Sequence, residues 1–255
     1  MGLKDLIVTP IYLILFTILA IWIRPYVTNK QTRKYFLPAL WLRFFGAIAL
    51  GLIYQFYYGG GDTINYWEHG SRWIYEAFND DPATGLKLLL SNGGVRSLDV
   101  TYAYSSRIWL FRDPAAYMVI RIASVFDFFT FHTYSATALF FAVFSFSGTW
   151  ALFSAVQKKY PSATKQIAIA ILFIPSVIFW GSGILKDTIT LGSLGWITWA
   201  LIRWIDLKKY DLVSAFLFLL SFYLIFFIKK YILICYLPMV MVWIFFKNIK
   251  NIKVL

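Results

Sequence analysis

Cysteine and charge are both scarce in this sequence. Its 255 residues include a single cysteine, Cys235, which excludes an intrachain disulfide. Only 14% of the residues are charged, whereas soluble domains usually carry about 25%. Hydrophobic residues make up 60% and fall in long runs, and about 20 helical residues are enough to cross the hydrocarbon core of a bilayer. These features exclude a water-soluble globule.

Positive charge exceeds negative charge, with a formal net charge of +12. The cations do not follow one face, as a nucleic-acid-binding surface would require; they gather in short connections between apolar runs. This distribution is typical of the positive-inside bias, so no nucleic acid is expected as a partner. The first run, 6–23, has no small-residue cleavage site after it and is predicted to be a retained anchor.

The apolar runs predict an all-α, polytopic integral membrane protein with seven or eight transmembrane helices. They are 6–23, 37–58, 115–131, 134–156, 166–183, 188–205, 211–228 and 231–246. The connections 24–36, 157–165 and 203–209 and the C-terminal tail are rich in Lys and Arg and are assigned to the cytoplasm. The connection 59–113 has seven acidic against five basic residues and is assigned to the outside.

These assignments leave room for one crossing between 59–113 and 157–165. The run 115–131 contains Arg121 and Asp127, which are costly at membrane depth. It is therefore predicted to lie at the outer interface, or to re-enter from that side. Seven crossings follow, with the first residue outside and the last inside. The outer loop has enough apolar residues for amphipathic helices lying along the headgroups.

A glycine-rich turn opens the outer loop. Gly59, Gly60 and Gly61 end the second run, and Asp62 then emerges at the membrane surface. Tyr66 follows one helical turn later on the same face. The structural interpretation of Asp62 is an N-cap of the next helix, and the functional one is a reactive group at the surface.

A second glycine-rich turn joins two spans on the same outer side. The backbone of 181–183, around Ser182, can present N–H groups, and Lys186 adds a mobile positive charge. This combination suits a phosphate oxygen. Asp187 is expected to pair with Lys186 or to begin the next helix. The alternative is a tight helical hairpin from which Lys186 extends toward the headgroups.

Further cations on the outer side are candidates for binding an anion. Lys229 and Lys230 end an outward span, against the charge bias, so they are expected to contact lipid headgroups or to bind an anionic ligand. Lys230 is the residue we assign to phosphate binding. Arg107, Arg112 and Arg121 are further candidates, because guanidinium suits bidentate phosphate recognition.

Metal binding has little support in the sequence. Asp62, Glu68 and His69 are candidate ligands of a divalent cation, but three such residues in one loop are not a metal signature, so no cofactor is predicted. His132, between two apolar runs, is interpreted as a structural partner.

The order of these features resembles the GT-C superfamily of membrane glycosyltransferases, which includes the protein mannosyltransferases. The resemblance covers roughly 37–205 and is carried by the Asp62-to-Tyr66 spacing, by a span that ends in basic residues at 152–161, and by the segment 175–187. It is greatest for bacterial membrane proteins described as O-antigen polymerase-like.

The resemblance implies a polyprenyl-phosphate sugar donor, an inverting reaction and Asp62 as general base. It also implies a glycan or lipid-linked acceptor, membrane lipid around the site and a place in envelope polysaccharide synthesis, in the bacterial inner membrane with the site facing the periplasm. A protein partner is a further expectation. The chain then divides into an anchor helix and cytoplasmic loop at 1–36, a GT-C-like module at 37–205 with its outer loop at 59–133, and a helical hairpin with a basic tail at 206–255.

Two other classes of function remain open from the sequence. A polymerase or ligase of lipid-linked oligosaccharides shares the same topology and basic outer residues. A scaffold or transporter subunit of an envelope complex is the non-enzymatic alternative. A transporter usually has broken helices or ionisable residues in mid-span, whereas the deep parts of these runs are almost purely apolar and aromatic.

Overall fold

The computed structural model describes residues 2–249, and this part of the chain contains helices and turns but no strand. The predicted all-α fold is therefore confirmed. The α-helices are α1 (Leu3–Val27), α2 (Arg33–Leu52), α3 (Asp62–Tyr66), α4 (Arg72–Asp80), α5 (Pro82–Leu90), α6 (Tyr102–Ser105), α7 (Pro114–Thr130), α8 (Tyr134–Lys159), α9 (Thr164–Leu172), α10 (Pro175–Trp180), α11 (Lys186–Ile205) and α12 (Leu212–Ile249). Lys250 and Lys253 of the predicted basic tail lie outside the described residues.

Four helical stretches are long and apolar enough to cross a membrane. They are Leu3–Val27, Arg33–Tyr57, Tyr134–Lys159 and Leu212–Lys247. The second of them includes a π-helical turn that extends α2 to Tyr57. These stretches make the chain a membrane-associated protein, but their number does not reach the seven or eight crossings predicted from the sequence.

One predicted run, 166–183, is interrupted. The helix α9 ends at Leu172 and α10 begins at Pro175, with Ile174 extended between them (φ −72°, ψ 121°). Proline lacks a backbone N–H and disfavours helical geometry in the residue before it. The run therefore forms two short helices instead of one.

The last two predicted runs lie in α12, which reverses direction at Lys229, where φ is −146° and ψ is 67°. Near its beginning, Ser214 Oγ accepts a hydrogen bond from Trp204 Nε1 at 2.9 Å. Near its end, Lys247 Nζ donates to Asp206 at 2.7 Å. Positions 204 and 206 are neighbours, whereas a straight helix would separate positions 214 and 247 by about 50 Å. The two halves of α12 are therefore antiparallel.

The helix ends meet at two opposite ends of the bundle. At the first, which we name the Asp62 end, Asp5 Oδ1 accepts from the N–H of Ser135 at 2.8 Å, and the hydroxyls of Thr63 and Tyr134 lie 2.7 Å apart. The starts of α1, α3 and α8 are thereby joined.

At the second, which we name the Lys158 end, Asn29 Nδ2 donates to Gln157 Oε1 at 3.1 Å, and Lys159 Nζ lies 2.9 Å from Asp206. This end contains the Lys- and Arg-rich connections assigned to the cytoplasm. The ends of α1, α8 and α11 meet here.

The helix α7 packs at the Asp62 end. It begins after Asp113, whose Oδ1 accepts from two N–H groups of the first turn, and it stops where Phe131 adopts a left-handed conformation (φ 53°). Lys4 at the start of α1 donates to the Phe131 carbonyl at 3.3 Å. Asp113 lies 2.9 Å from Lys186 at the start of α11, so both ends of α7 lie on one side of the bundle. The helix α7 is also not among the helices long and apolar enough to cross.

Short helices occupy the first large loop. The helix α4 is amphipathic: it buries Ile74 and Ala77, while Arg72 pairs with Glu76 at 2.8 Å on its exposed face. The apolar face of α4 is thus turned toward the bundle and its charged face away from it.

One buried charge corrects the view that the deep parts of the runs are apolar. Arg43 of α2 is 1% exposed, and its Nη1 donates to the carbonyls of Val177 at 2.7 Å and Gly181 at 3.1 Å. These carbonyls lie at the C-terminal end of α10, where the Val177 carbonyl also accepts from the Gly181 N–H and the Gly181 carbonyl lies past the last helical residue. Arg43 therefore caps the second half of the broken run.

Candidate functional site

The turn before α3 depends on glycine. Gly59, Gly60 and Gly61 have φ values of 67°, 150° and 124°. A Cβ on Gly61 would lie 2.6 Å from the Tyr54 ring. Gly61 is the N-cap of α3 and Asp62 its first residue, so the interpretation of Asp62 as an N-cap is wrong.

A polar cavity of about 250 Å³ opens at the Asp62 end. Four of the predicted site residues line it together: Asp62, Tyr66, Lys186 and Asp187. The other lining residues are Leu110, Asp113, Ala116, Leu185 and Lys229. The first turn of α3 forms one wall and the start of α11 another, because both helices begin at this end.

Two ion pairs cross the cavity. Lys186 Nζ lies 2.9 Å from Asp113 Oδ2, and Lys229 Nζ lies 2.5 Å from Asp187 Oδ1. The lysine side chains are 22% and 19% exposed, whereas the Asp113 and Asp187 side chains are 47% and 54% exposed. The cations are therefore the more enclosed partners, and the carboxylates face water.

The Asp62 carboxylate takes part in neither of these ion pairs. Its side chain is exposed, and no hydrogen bond or ion pair to it is found among residues 2–249. The cavity has three carboxylates and two ammonium groups, which gives 2 − 3 = −1. An unpaired carboxylate thus faces the same space as two enclosed cations.

Tyr66 adds a neutral hydroxyl to this space. Burial raises the pKa of Tyr66 above its ordinary value, and the nearby carboxylates of Asp62, Asp113 and Asp187 raise it further. The residue is 3% exposed. Tyr66 therefore stays protonated at neutral pH and can donate a hydrogen bond.

Asp113 connects the cavity to α7. Its Oδ1 accepts from the N–H groups of Ala115 at 2.9 Å and Ala116 at 3.2 Å, while its Oδ2 faces Lys186. Burial alone would raise the pKa of Asp113, but the hydrogen bonds from Lys186 and the backbone outweigh it and lower that pKa. One carboxylate thus caps a helix and holds a cation of the cavity.

Ser182 does not reach the cavity. It is fully buried, and its hydroxyl donates to the carbonyl of Ile178. Gly181 N–H donates to Val177, and an added Cβ on Gly183 would meet Leu50 at 2.8 Å. This turn packs against α2, so the predicted phosphate site at Ser182 is not formed.

The structure separates the two neighbouring lysines of α12. Lys229 lines the cavity, whereas Lys230 is exposed, lies outside the cavity lining and has no ion-pair partner within residues 2–249. The backbone departs from helical geometry at Lys229, so helical spacing does not fix where these two side chains point. Lys230, which the sequence analysis assigned to phosphate binding, is thus not among the cavity residues, whereas Lys229 is.

The predicted arginines also lie outside the cavity lining. The Arg107 guanidinium lies over the Trp73 ring, 4.8 Å from its centroid. Arg112 is exposed. Both residues belong to the Asp62 end, but neither is among the residues that surround Asp62.

The candidate metal ligands are directed elsewhere. Glu68 pairs with Arg72 at 2.5 Å, and the His69 ring stacks on Trp109 with centroids 3.8 Å apart. No group of three or more His, Cys, Asp or Glu side chains suited to a metal ion occurs within residues 2–249.

His132 has structural contacts. Its Nδ1 lies 3.0 Å from Oδ2 of the fully buried Asp127, and its ring stacks on Trp67 at 4.3 Å. Thr137 donates to the other Asp127 oxygen at 2.6 Å. This cluster ties the end of α7 to the start of α8 and accounts for the buried carboxylate.

Asp113 is the charged cavity residue that the sequence did not single out, whereas Lys229 was named together with Lys230 as a candidate for binding an anion. Asp113 precedes Pro114, a pairing typical of a helix start, so a sequence signal existed for its capping role. No local signal indicated its pairing with Lys186, because the two residues are 73 positions apart.

Comparisons with protein-family models, with curated proteins and with solved structures found no match for this chain.

Proposed function

We propose that the chain is a membrane glycosyltransferase that moves a sugar from a polyprenyl-phosphate donor to an acceptor hydroxyl. The observation that carries the proposal is the shared cavity, in which unpaired Asp62 faces the enclosed cations Lys186 and Lys229. Such a transfer needs a base for the acceptor proton and positive charge for the phosphate that leaves. The cavity supplies both, at one end of the helical bundle.

In the proposed reaction, Asp62 takes the proton of the acceptor hydroxyl as that oxygen attacks the anomeric carbon. The bond from this carbon to the phosphate oxygen breaks, and its electron pair stays on the phosphate. Lys186 and Lys229 offset the added charge, and Tyr66 donates a hydrogen bond. The partner carboxylates are about half exposed, so exchanging them for phosphate costs little.

The same proposal includes seven crossings of a bacterial inner membrane, with the cavity facing the periplasm. Two features support this number. The antiparallel halves of α12 count as two crossings. The consecutive helices α9 and α10 count together as one crossing that is broken at Ile174. The Lys- and Arg-rich connections meet at the Lys158 end, which supports its assignment to the cytoplasm. The Asp62 end then faces outward.

Lipid analysis tests the proposal. Mass spectrometry of lipid that co-purifies with the protein is expected to find a polyprenyl phosphate. Lys229→Gln should reduce its amount about tenfold, whereas Lys230→Gln should leave it unchanged, since only Lys229 lines the cavity. Charge-assisted contacts of this kind contribute about 1.5–3 kcal/mol, which corresponds to about tenfold or more.

Two results would contradict the proposal. One is a purified wild-type protein, extracted in mild detergent from cells that contain polyprenyl phosphates, with none bound. The other is equal retention by the Lys229 and Lys230 variants, which would place the lipid away from the cavity.

Transport is a second candidate, because the structure contains two features typical of transporters. A run of the bundle is broken at Ile174, and the buried cation Arg43 contacts the carbonyls beyond the break. The transport hypothesis predicts a flux of anionic solutes into proteoliposomes that Arg43→Met abolishes. Absence of flux with the folded wild-type protein would contradict this hypothesis.

A further inference from the structure

A second cavity lies at the other end of the bundle, away from Asp62. It has a volume of about 640 Å³ and follows α1 from Phe16 to Val27, with α8 as its floor and α11 on the far side. Its deeper part is lined by apolar side chains, including Leu19 and Phe146. Apolar walls within a membrane-spanning bundle favour hydrocarbon over water as the occupant.

The length of this groove matches one leaflet. Residues 16 to 27 of a helix span about 16 Å, and half of a hydrocarbon core is about 15 Å. The groove reaches from mid-bundle to the Lys158 end, so a lipid of that leaflet would enter it in its usual orientation.

The mouth of the groove is cationic and has unused polar groups. Lys158 lines it, is exposed and has no ion-pair partner in the described part of the chain. Arg203 also lines it; its Nη2 contacts Asp211, but its buried Nε has no hydrogen-bond partner there. The Ser154 hydroxyl, further inside, is likewise buried and without a partner. An anionic headgroup would supply the acceptors that these groups lack.

We propose that the groove binds an anionic glycerophospholipid, with one acyl chain along α1 and its phosphate against Lys158 and Arg203. Charge complementarity selects an anionic headgroup over a zwitterionic one, and the leaflet-length groove selects a membrane lipid. The site is separate from the proposed glycosyl-transfer site and does not depend on it.

Tryptophan quenching by brominated lipid tests this site, because Trp150, Trp196 and Trp199 line the groove. The full-length protein is reconstituted in phosphatidylcholine vesicles that contain either phosphatidylglycerol or further phosphatidylcholine with the same brominated chains. Phosphatidylglycerol is expected to quench more strongly at equal mole fraction. The difference between the two lipids isolates the groove from general contact with bilayer lipid.

Neighbouring lysines give the matched control. Lys158→Gln should reduce the preference for phosphatidylglycerol about fivefold, the effect of one lysine near an anionic headgroup. Lys159→Gln removes the same charge from a residue that pairs with Asp206 and does not line the groove, so the preference should remain. Equal quenching by both lipids in the wild type would overturn the proposal. So would equal effects of the two substitutions.

Discussion

The Asp113 carboxylate faces two partners at once: its Oδ1 caps α7, and its Oδ2 lies 2.9 Å from Lys186 Nζ at the start of α11. The turn before α7 is thereby fixed to the helix that forms a wall of the cavity. Asparagine is as good an N-cap as aspartate, so Asp113→Asn keeps the cap while it removes the charge and the oxygen that accepts from Lys186.

This relationship predicts a dependence of stability on pH. The pKa of Asp113 is lowered in the folded protein, so the stability from its ionised form is present above the ordinary aspartate pKa, about 3.9. It is lost as pH falls through the lowered folded-state pKa. The side chain is 47% exposed, so the contribution should be below about 1 kcal/mol.

Thermal unfolding in detergent measures this effect. Asp113→Asn should unfold about 1–3 °C below the wild type at pH 7, and the two proteins should converge at a pH below the lowered folded-state pKa of Asp113. A gap of the same size at both pH values would show that the carboxylate charge is not responsible.

The unpaired state of Asp62 predicts a loss of turnover without a loss of fold. Asp62→Asn should reduce sugar transfer by about 10²–10⁴, the usual contribution of a general base. Glu76→Gln, a carboxylate of the same outer loop that pairs with Arg72 away from the cavity, should retain activity. Full activity of purified Asp62→Asn would show that the Asp62 carboxylate is not the general base.

Sequence patterns predicted the α3 side of the cavity better than the side formed by α11 and α12. Asp62 and Tyr66 are four residues apart in a helix, so their shared face follows from helical geometry. Lys229 and Lys230 have the same chemistry, and only the position at which α12 reverses decides which of them enters the cavity. Ser182 looked available because small residues suit a phosphate loop, yet close packing against α2 uses the same small residues.

The fold shows a similar division. Hydropathy predicted the positions of the long helices, because burial of apolar residues in lipid does not depend on their neighbours. The break at Ile174 had a local signal in Pro175. The capping role of Arg43 had none, since its acceptors lie 134 and 138 residues away.

The packing of α8 on α11 predicts a strong effect of added volume. A Cβ built on Gly148 would lie 1.9 Å from the Gly192 carbonyl oxygen, and one on Gly195 would lie 2.3 Å from that of Gly148. Small residues of this kind allow close approach of membrane helices. Gly148→Ala should therefore destabilise the protein by about 1–3 kcal/mol or more.

Thermal unfolding with a matched substitution checks this expectation. Gly2→Ala adds the same methyl group where no atom lies within 4 Å, so its effect should be confined to the N-cap of α1 and should be smaller than that of Gly148→Ala. Equal behaviour of Gly148→Ala and Gly2→Ala would mean that the two helices do not make the close contact.

The contacts at the Asp62 end predict that positions 62 and 186 face the same compartment. In a Cys235→Ala background, which removes the single native thiol, Asp62→Cys and Lys186→Cys should react with a membrane-impermeant maleimide added outside intact cells. Lys158→Cys should react only after permeabilisation, because it lies at the opposite end of the bundle. Labelling of positions 62 and 186 from opposite sides would separate the base from its cations by the bilayer, and no single cavity could then hold the proposed donor.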